Sequence, residues 1–412
     1  MSTQTPETAQ ETLAAPSLKS AAADYWARIK SGDIGSLPAV LGLVALCIVF
    51  TSMSSSFLTP GNFANLLTQA AGVIVIAMGL IFVLLLGDID LSAGYSAGVS
   101  GAVLVILVSN HHWNWVPALL VAIVAGVLMG LVIGWLVSYV GVPSFVVTLA
   151  MFLAFQGILL LLAGEGGTIA IEDKTVIAIE NSNMKPLISW LFFLICAALY
   201  VLSGLRKMAV RRKAGLKTEL VQLWVFKTVG LLALCAVAVF SLNLERSNNV
   251  KLVSLKGIPD VVPLILAILV VGTFFLSRTS YGRHLYAVGG NTEAARRSGI
   301  DVKRVRLFAF VICSSLAAIA GLIFVSRANS VSPTTGGNST LLYAVGAAVI
   351  GGTSLFGGKG KMRDAILGGL VVAVIDNGMG LLGYAAGIKY IVTGLVLLVS
   401  AGVDALSRKG GN

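Results

Sequence analysis

Two short stretches gather the residues able to do chemistry in a chain otherwise dominated by aliphatic side chains. The first is Tyr281-Gly-Arg-His-Leu-Tyr-Ala-Val-Gly-Gly-Asn-Thr-Glu-Ala-Ala-Arg-Arg-Ser-Gly-Ile300. Here Asn291 or Thr292 caps a short helix, and Glu293 in its first turn complements the positive end of the helix dipole. Ala294 and Ala295 are strong helix formers, and Gly299 supplies a left-handed stop. With Gly290 just ahead, this predicts about two helical turns bracketed by glycines, with Arg296 and Arg297 able to meet acidic groups. Such a unit suits docking to a partner, and a bland loop helix is the competing reading. The second stretch is Gly87-Asp-Ile-Asp-Leu-Ser-Ala-Gly94. A carboxylate near membrane depth is costly unless it meets a polar cavity or a partner, so Asp88 and Asp90 are functional candidates, with Ser92 beside them. The flanking glycines suggest a broken helix lining a cavity. The alternative puts both acids at a solvated helix end with Asp90 capping the next helix. Both readings stand at this stage.

Other reactive residues carry no such pattern. Cys47, Cys196, Cys235 and Cys313 each lie in an apolar run, with no C-x-x-C pair. They read as small buried hydrophobes. His111, His112 and His284 are too scattered for a metal site, and no metal is expected. Gly352-Thr-Ser-Leu-Phe-Gly-Gly-Lys-Gly360 fails the phosphate-loop pattern, because Thr353 replaces the first Gly and Gly360 replaces the Ser or Thr that would hold magnesium. The chain is therefore not expected to hydrolyse ATP, nor to be an enzyme.

The elements that must hold these stretches follow from composition. Of 412 residues, 57% are hydrophobic and only 11% charged, where a soluble domain carries about 25% charged. Mean hydropathy is +0.93. So much apolar side chain has no soluble interior to fill, and the solvent for most of the chain is lipid. Apolar runs of bilayer-spanning length lie at about Leu37–Phe57, Asn65–Leu86, Leu91–Ser109, Val116–Val140, Phe145–Ala163 and Leu187–Gly204, then Leu223–Leu242, Val261–Leu276, Leu307–Val325, Leu341–Phe356, Ala365–Met379 and Ile388–Leu406. The expected fold is all-α and polytopic, with ten to twelve spans and room for re-entrant or broken helices. Residues 1–36 are expected to form a polar tail, either disordered or amphipathic near 18–30, with a membrane-spanning body over 37–406 and a second tail at 407–412.

The net charge is +11, but the basic residues occupy short breaks between apolar runs, which argues against nucleic acid and for topology signals. With the N-terminus inside, the loops holding Arg206–Lys217, residues 278–306, and Lys359–Arg363 fall inside, as does the C-terminus. His111–Trp115 and the acidic 165–185 loop then fall outside. The aromatic His-His-Trp-Asn-Trp turn reads as an interfacial belt, with an external sugar contact as its rival. Gly87, Leu91 and Gly94 also share their spacing with Gly351, Leu355 and Gly358, a pattern expected of repeat-built transporters.

Glu293-Ala294-Ala295 with Gly299 resembles the E-A-A-x-x-x-G loop of ATP-binding-cassette importer permeases, and Tyr286–Ile300 resembles the form found in ribose-, xylose- and galactose-type sugar permeases. Gly87–Gly94 resembles that family's G-G-I-D-L-S-V-G segment, departing at Asp88 and Ala93. Val349–Leu355, Asp376–Met379 and Pro143–Leu149 are similar as well. The likeness covers nearly everything after about Asn62, except Glu165–Asn181 and Gly204–Asn249. It implies the membrane subunit of a bacterial inner-membrane importer for a monosaccharide, with D-xylose ahead of ribose or galactose. It also implies a homodimer, a periplasmic sugar-binding protein, and a separate subunit that uses ATP and magnesium. The loop Gly290–Gly299 would be the coupling helix seated in that subunit. Hydroxyl-pairing groups on the path would come from Asn65, Gln69, Gln156 and Asn377 besides the Asp88–Ser92 stretch. The alternative is a secondary transporter with Asp88 or Asp90 as the proton-coupling carboxylate.

Overall fold

Helices begin where the sequence places proline and capping side chains. In the computed structural model, which describes residues 36–216, 220–247, 249–250 and 253–409, α1 spans Leu37–Met53 and α2 spans Pro60–Leu84. Thr59 accepts from the Asn62 N–H at 3.3 Å, and Pro60, with no N–H to lose, takes the first helical position. A non-helical segment, 85–92, then leads into α3 (Ala93–Val105), which runs on as a π turn to Asn110. Asn114 caps α4 (Trp115–Trp135), which also ends in a π turn, closed by Gly141 at φ 86°. The helix α5 covers Ser144–Ala163 and the short α6 covers Lys174–Asn181. A long hairpin follows, α7 (Pro186–Lys213) and α8 (Val221–Asn243).

The remaining helices are α9 (Val261–Arg278), α10 (Ser280–Gly290), α11 (Thr292–Arg297), α12 (Val302–Ala328), α13 (Asn338–Ile350), α14 (Met362–Leu381) and α15 (Ala386–Lys409). Among the described residues nine helices are long and apolar enough to cross a membrane, and three shorter apolar ones (α1, α13 and α15) accompany them. The expected runs are recovered with one correction. The run Leu341–Phe356 stops being helical at Ile350, because Gly352, Gly357 and Gly358 all take positive φ, which a continuing helix excludes. Two helices were not foreseen, α10 and α6. The expected amphipathic stretch near 18–30, Lys217 and the last residues of the C-terminal tail lie outside the described residues.

At the centre stands α12, packed between α2, α3 and α4. Its neighbours come close because they present glycine. On α4, Gly126, Gly130 and Gly134 recur every fourth residue, and a β-carbon there would press on the Ser314, Phe310 and Leu307 carbonyls of α12 at 2.8, 2.7 and 2.8 Å. Lipid supplies no hydrophobic drive between helices, so such small-residue seams carry the association through van der Waals contact. By contrast α7 and α8 keep most of their apolar surface outward.

Contacts sort the loops onto two ends of this bundle. The segments 85–92, 279–301 and 351–361 meet one another, as the Gly358–Leu85 and Tyr286–Gly360 hydrogen bonds show. This is the end rich in Arg and Lys. At the opposite end, Ile169–Ala170 pairs antiparallel with Ser330–Val331, and Met184 donates to the Ile258 carbonyl at 2.8 Å.

The small helix α6 is sealed against that opposite end. Asp173 accepts from the N–H groups of Thr175 and Val176, Glu180 donates its backbone N–H to Ser326 Oγ at 3.0 Å, and Asn181 donates to the Ser326 carbonyl at 2.7 Å. The Glu180 side chain is only 5% exposed, and neither carboxylate oxygen has a hydrogen-bond partner among the described residues. Burial pushes its pKa up to about 8 although the charge of Arg327 pulls the other way. The folded state therefore holds a proton that the unfolded chain releases near pH 4.5, so this contribution is whole below that pH and is lost as pH rises through 8. Glu180→Gln should raise the thermal midpoint at pH 8 by the equivalent of on the order of 1 kcal/mol or more and flatten its fall between pH 5 and 8. Unfolding of the two proteins in detergent across that range is the measurement, and parallel curves would show the carboxyl to be solvated.

Candidate functional site: a docking loop locked to two helix breaks

The candidate docking loop forms as its residues dictate. Asn291 accepts the Ala294 N–H at 2.9 Å, making it the cap of α11. Gly299 stops the helix at φ 84°, and the Ile300 N–H returns to the Ala295 carbonyl at 3.1 Å. The two alanines part company. Ala295 is buried against the body of the protein while Ala294 is exposed, as are Glu293, Arg296 and Arg297. Glu293 is paired with both arginines one turn on, so their charge is held in place on the helix itself. At these exposures the pairs add little stability; what they fix is the face that α11 shows to solvent.

What lies behind α11 is more constrained. At Gly289, the penultimate residue of α10, a β-carbon would overlap the Leu85 carbonyl oxygen and sit 2.9 Å from the Gly358 nitrogen. That same Leu85 oxygen accepts the Gly358 N–H at 2.8 Å. Tyr286 on α10 donates its hydroxyl to the Gly360 carbonyl at 2.6 Å. The docking loop thus touches, backbone to backbone, both non-helical breaks: 85–92 between α2 and α3, and 351–361 between α13 and α14. The recurrence of glycine in the two stretches corresponds to direct contact, since Gly87 approaches Phe356 and Gly357. Asp364, the third residue of α14, accepts the Lys361 N–H at 2.7 Å and meets Thr353, which closes the second break.

The two acids of the first break have separate partners. Asp88 is 4% exposed and receives both Nε and Nη2 of Arg306, each at 2.6 Å. A fork-on-fork pair of this kind suits a buried carboxylate. It also joins the break to the start of α12. Asp90 is fully buried, and its Oδ1 accepts both the N–H and the hydroxyl of Ser92, at 2.9 and 2.6 Å. That is an Asx-type turn leading into α3. Cys313 of α12 lies against the same carboxylate.

The other polar candidates lie elsewhere. Asn65, Gln69 and Asn377 sit in the opposite half of the bundle, more than two turns of helix from the breaks. There Asn377 exchanges hydrogen bonds with Asn62 at 2.9 and 3.0 Å and reaches Gln69 Oε1 at 3.3 Å. Asn65 accepts from Arg327, which also holds Thr68. Gln156 is on α5, which packs on α3, and is not part of this group. Sequence reasoning missed Arg306 as the partner of Asp88, Gly289 as the interlock, and Asp376, which takes a 2.6 Å bond from Gln69. Two signals were present: the doubled Gly at 289–290, which implies close backbone approach, and Asp376, a carboxylate inside the apolar run Ala365–Met379.

The turn geometry of Asp90 makes a direct expectation. Asparagine keeps an oxygen for Ser92, so Asp90→Asn should shift the thermal midpoint little, whereas Asp90→Ala should cost about 1 kcal/mol of stability. Melting curves of both variants check this, and equal losses would mean that the charge rather than the turn is what matters.

A protein-family model described as "Branched-chain amino acid transport system / permease component" matches residues 62–401. The chain is 34% identical over 382 residues to the xylose transport system permease protein XylH of Escherichia coli (strain K12), covering 92% of this chain and 94% of that protein. It is 34% identical over 381 residues to the protein of the same name in Haemophilus influenzae, covering 91% and 98%. The ribose import permease protein RbsC of Escherichia coli (strain K12) is 27% identical over 365 residues, covering 89% and 92%. No solved structure matches. A bundle of membrane-length helices, an E-A-A-x-x-x-G loop locked to two helix breaks, and matches over almost the whole chain agree: this protein belongs to that family of multi-pass transport permeases.

Proposed function

We propose that this chain is the membrane subunit of an ATP-driven importer that moves a monosaccharide, D-xylose first among candidates, across the bacterial inner membrane. The single observation that carries the reading is the exposed α11 tied through Gly289 into both helix breaks. A force applied at α11 has a stiff, backbone-to-backbone route into α2, α3, α13 and α14. An ATP-hydrolysing subunit, holding ATP and magnesium in its own site, would grip α11. Its closure would tip the bundle between two packings, open first to one side and then to the other. A second copy of the permease and a periplasmic sugar-binding protein complete the assembly in this reading. The near-identical length and 34% identity shared with the xylose permeases support the substrate. The basic end would face the cytoplasm together with both termini.

The rival, proton coupling through Asp88 or Asp90, draws less support from the geometry. Asp88 has both oxygens engaged by Arg306, and Asp90 is enclosed in its turn with Ser92. A proton carrier must exchange with water on each side in turn, and neither carboxylate has an open route.

Proteoliposomes holding this permease, its ATPase and its binding protein should accumulate D-xylose only with ATP inside the ATPase compartment. Uptake by the chain alone on a proton gradient would overturn the reading. In the same assay Gly289→Val should reduce uptake per ATP hydrolysed by at least about tenfold, because the interlock no longer closes. Gly230→Ala on α8, where a β-carbon meets nothing within 4 Å, should transport normally. Orientation has its own measurement, made in a background lacking the four native cysteines. A cysteine at Glu172 should react with an impermeant thiol reagent in whole cells, and one at Lys213 only after permeabilisation.

A further inference from the structure

The densest polar group between the spans is not at the breaks but in the opposite half of the bundle. Asp376 on α14 takes a 2.6 Å bond from Gln69 Nε2 on α2 and lies 3.5 Å from Lys389 Nζ on α15. Asn377 bonds to Gln69 and to Asn62. Tyr343 on α13 has its ring centre 6.3 Å from that of Tyr390, the neighbour of Lys389 on α15. Four helices therefore converge on one spot.

Depth makes the group expensive. Gln69 lies nine residues inside the start of α2 and Asp376 five before the end of α14. At about 1.5 Å per residue those positions are roughly 14 and 8 Å from the helix ends. Charged side chains at such depth face a protein interior or a water-filled cavity. They are not sealed: the side chains of Asp376 and Lys389 are 26% and 21% exposed. Lys389 lies only three residues inside the start of α15, about 5 Å from its end, where a lysine head group reaches water, so the pair sits at the watered rim of the span while Asp376 extends inward from it.

The functional groups match one ligand chemistry. Asp376 offers acceptors and Lys389 offers three donors, of which one is turned to Asp376. Beyond their bonds to Asp376, Asn62 and each other, Gln69 keeps one amide N–H and one oxygen lone pair and Asn377 keeps one oxygen lone pair. Two tyrosine rings beside them provide the flat apolar face that the C–H side of a pyranose needs. A ligand with an isobutyl or isopropyl side chain would give the spare donors of Lys389 and the spare acceptors of Asp376 no partner and would keep water from them. We propose that Asp376, Lys389, Gln69 and Asn377, with Tyr343 beside them, form a hydroxyl-reading station for a neutral monosaccharide inside the permease, so that the membrane subunit itself selects its cargo. This rests on the sugar-permease reading given above. The competing role is a staple in which Asp376 and Lys389 only join α14 to α15.

Reconstituted full transporter distinguishes the two. Asp376→Asn and Lys389→Met should each lower D-xylose uptake per ATP hydrolysed by at least about tenfold. The exchange Asp376→Lys with Lys389→Asp should regain the thermal midpoint but not the uptake. As a test that needs no charge change, Tyr390→Cys in a background lacking the four native cysteines should react with a small water-soluble thiol reagent, and millimolar D-xylose should slow that reaction at least about threefold while L-leucine does not. Uptake restored by the charge exchange, wild-type uptake in both single variants, or equal labelling with and without D-xylose would each overturn the station. Loss of D-xylose uptake in the wild-type protein would instead remove the sugar-permease reading beneath it.

Discussion

Three segments converge on one carbonyl. The Leu85 oxygen ends α2, accepts the Gly358 N–H from the second helix break, and lies against the Cα of Gly289 at the root of the docking loop. Inside a membrane protein, backbone groups freed by a broken helix must find partners within the protein, since lipid offers none. The two breaks satisfy that demand by bonding to each other. The same solution couples them, because neither can move without disturbing the shared carbonyl, and α10 cannot move without striking it. A requirement of hydrogen bonding thereby becomes a mechanical linkage between a surface loop and four buried helices.

That linkage is useful only if the helices behave as rigid bodies. The seams around α12 provide this, with Gly126, Gly130 and Gly134 letting α4 approach to backbone contact. Close contact over a long seam gives many small dispersion gains and little freedom for sliding. The outward-facing α7 and α8 pack on the rest much less extensively. The glycine seams gather around α12, and the outward-facing hairpin of α7 and α8 lies away from them.

Charges follow a division of labour. Asp88 and Arg306 form a bidentate pair that anchors the first break to α12. Asp376 and Lys389 sit farther apart, at 3.5 Å, and stay partly open. Among the described residues Glu180 has no hydrogen-bond partner for its carboxylate, and burial pushes its pKa up to about 8.

Composition and local pattern determined a great deal by themselves. The scarcity of charge dictated a membrane protein, the length of apolar runs located the spans, and the basic loops grouped onto one end. The spacing of Asn291, Glu293 and Gly299 was enough to foresee α11, because caps and left-handed stops act through neighbours in the chain. The Glu293–Ala294–Ala295 motif with its flanks also identified the family ahead of any comparison. Tertiary structure decided everything that depends on partners far away in sequence. Arg306 lies 218 residues from Asp88, and Asp376 lies 307 from Gln69. No local pattern announces such pairs, since each side chain taken alone is only an isolated polar group in an apolar run. The same holds for Gly289. Its place next to a second glycine hinted at close approach, but only the packed bundle shows that what approaches is the end of α2, and so why a side chain has no room there.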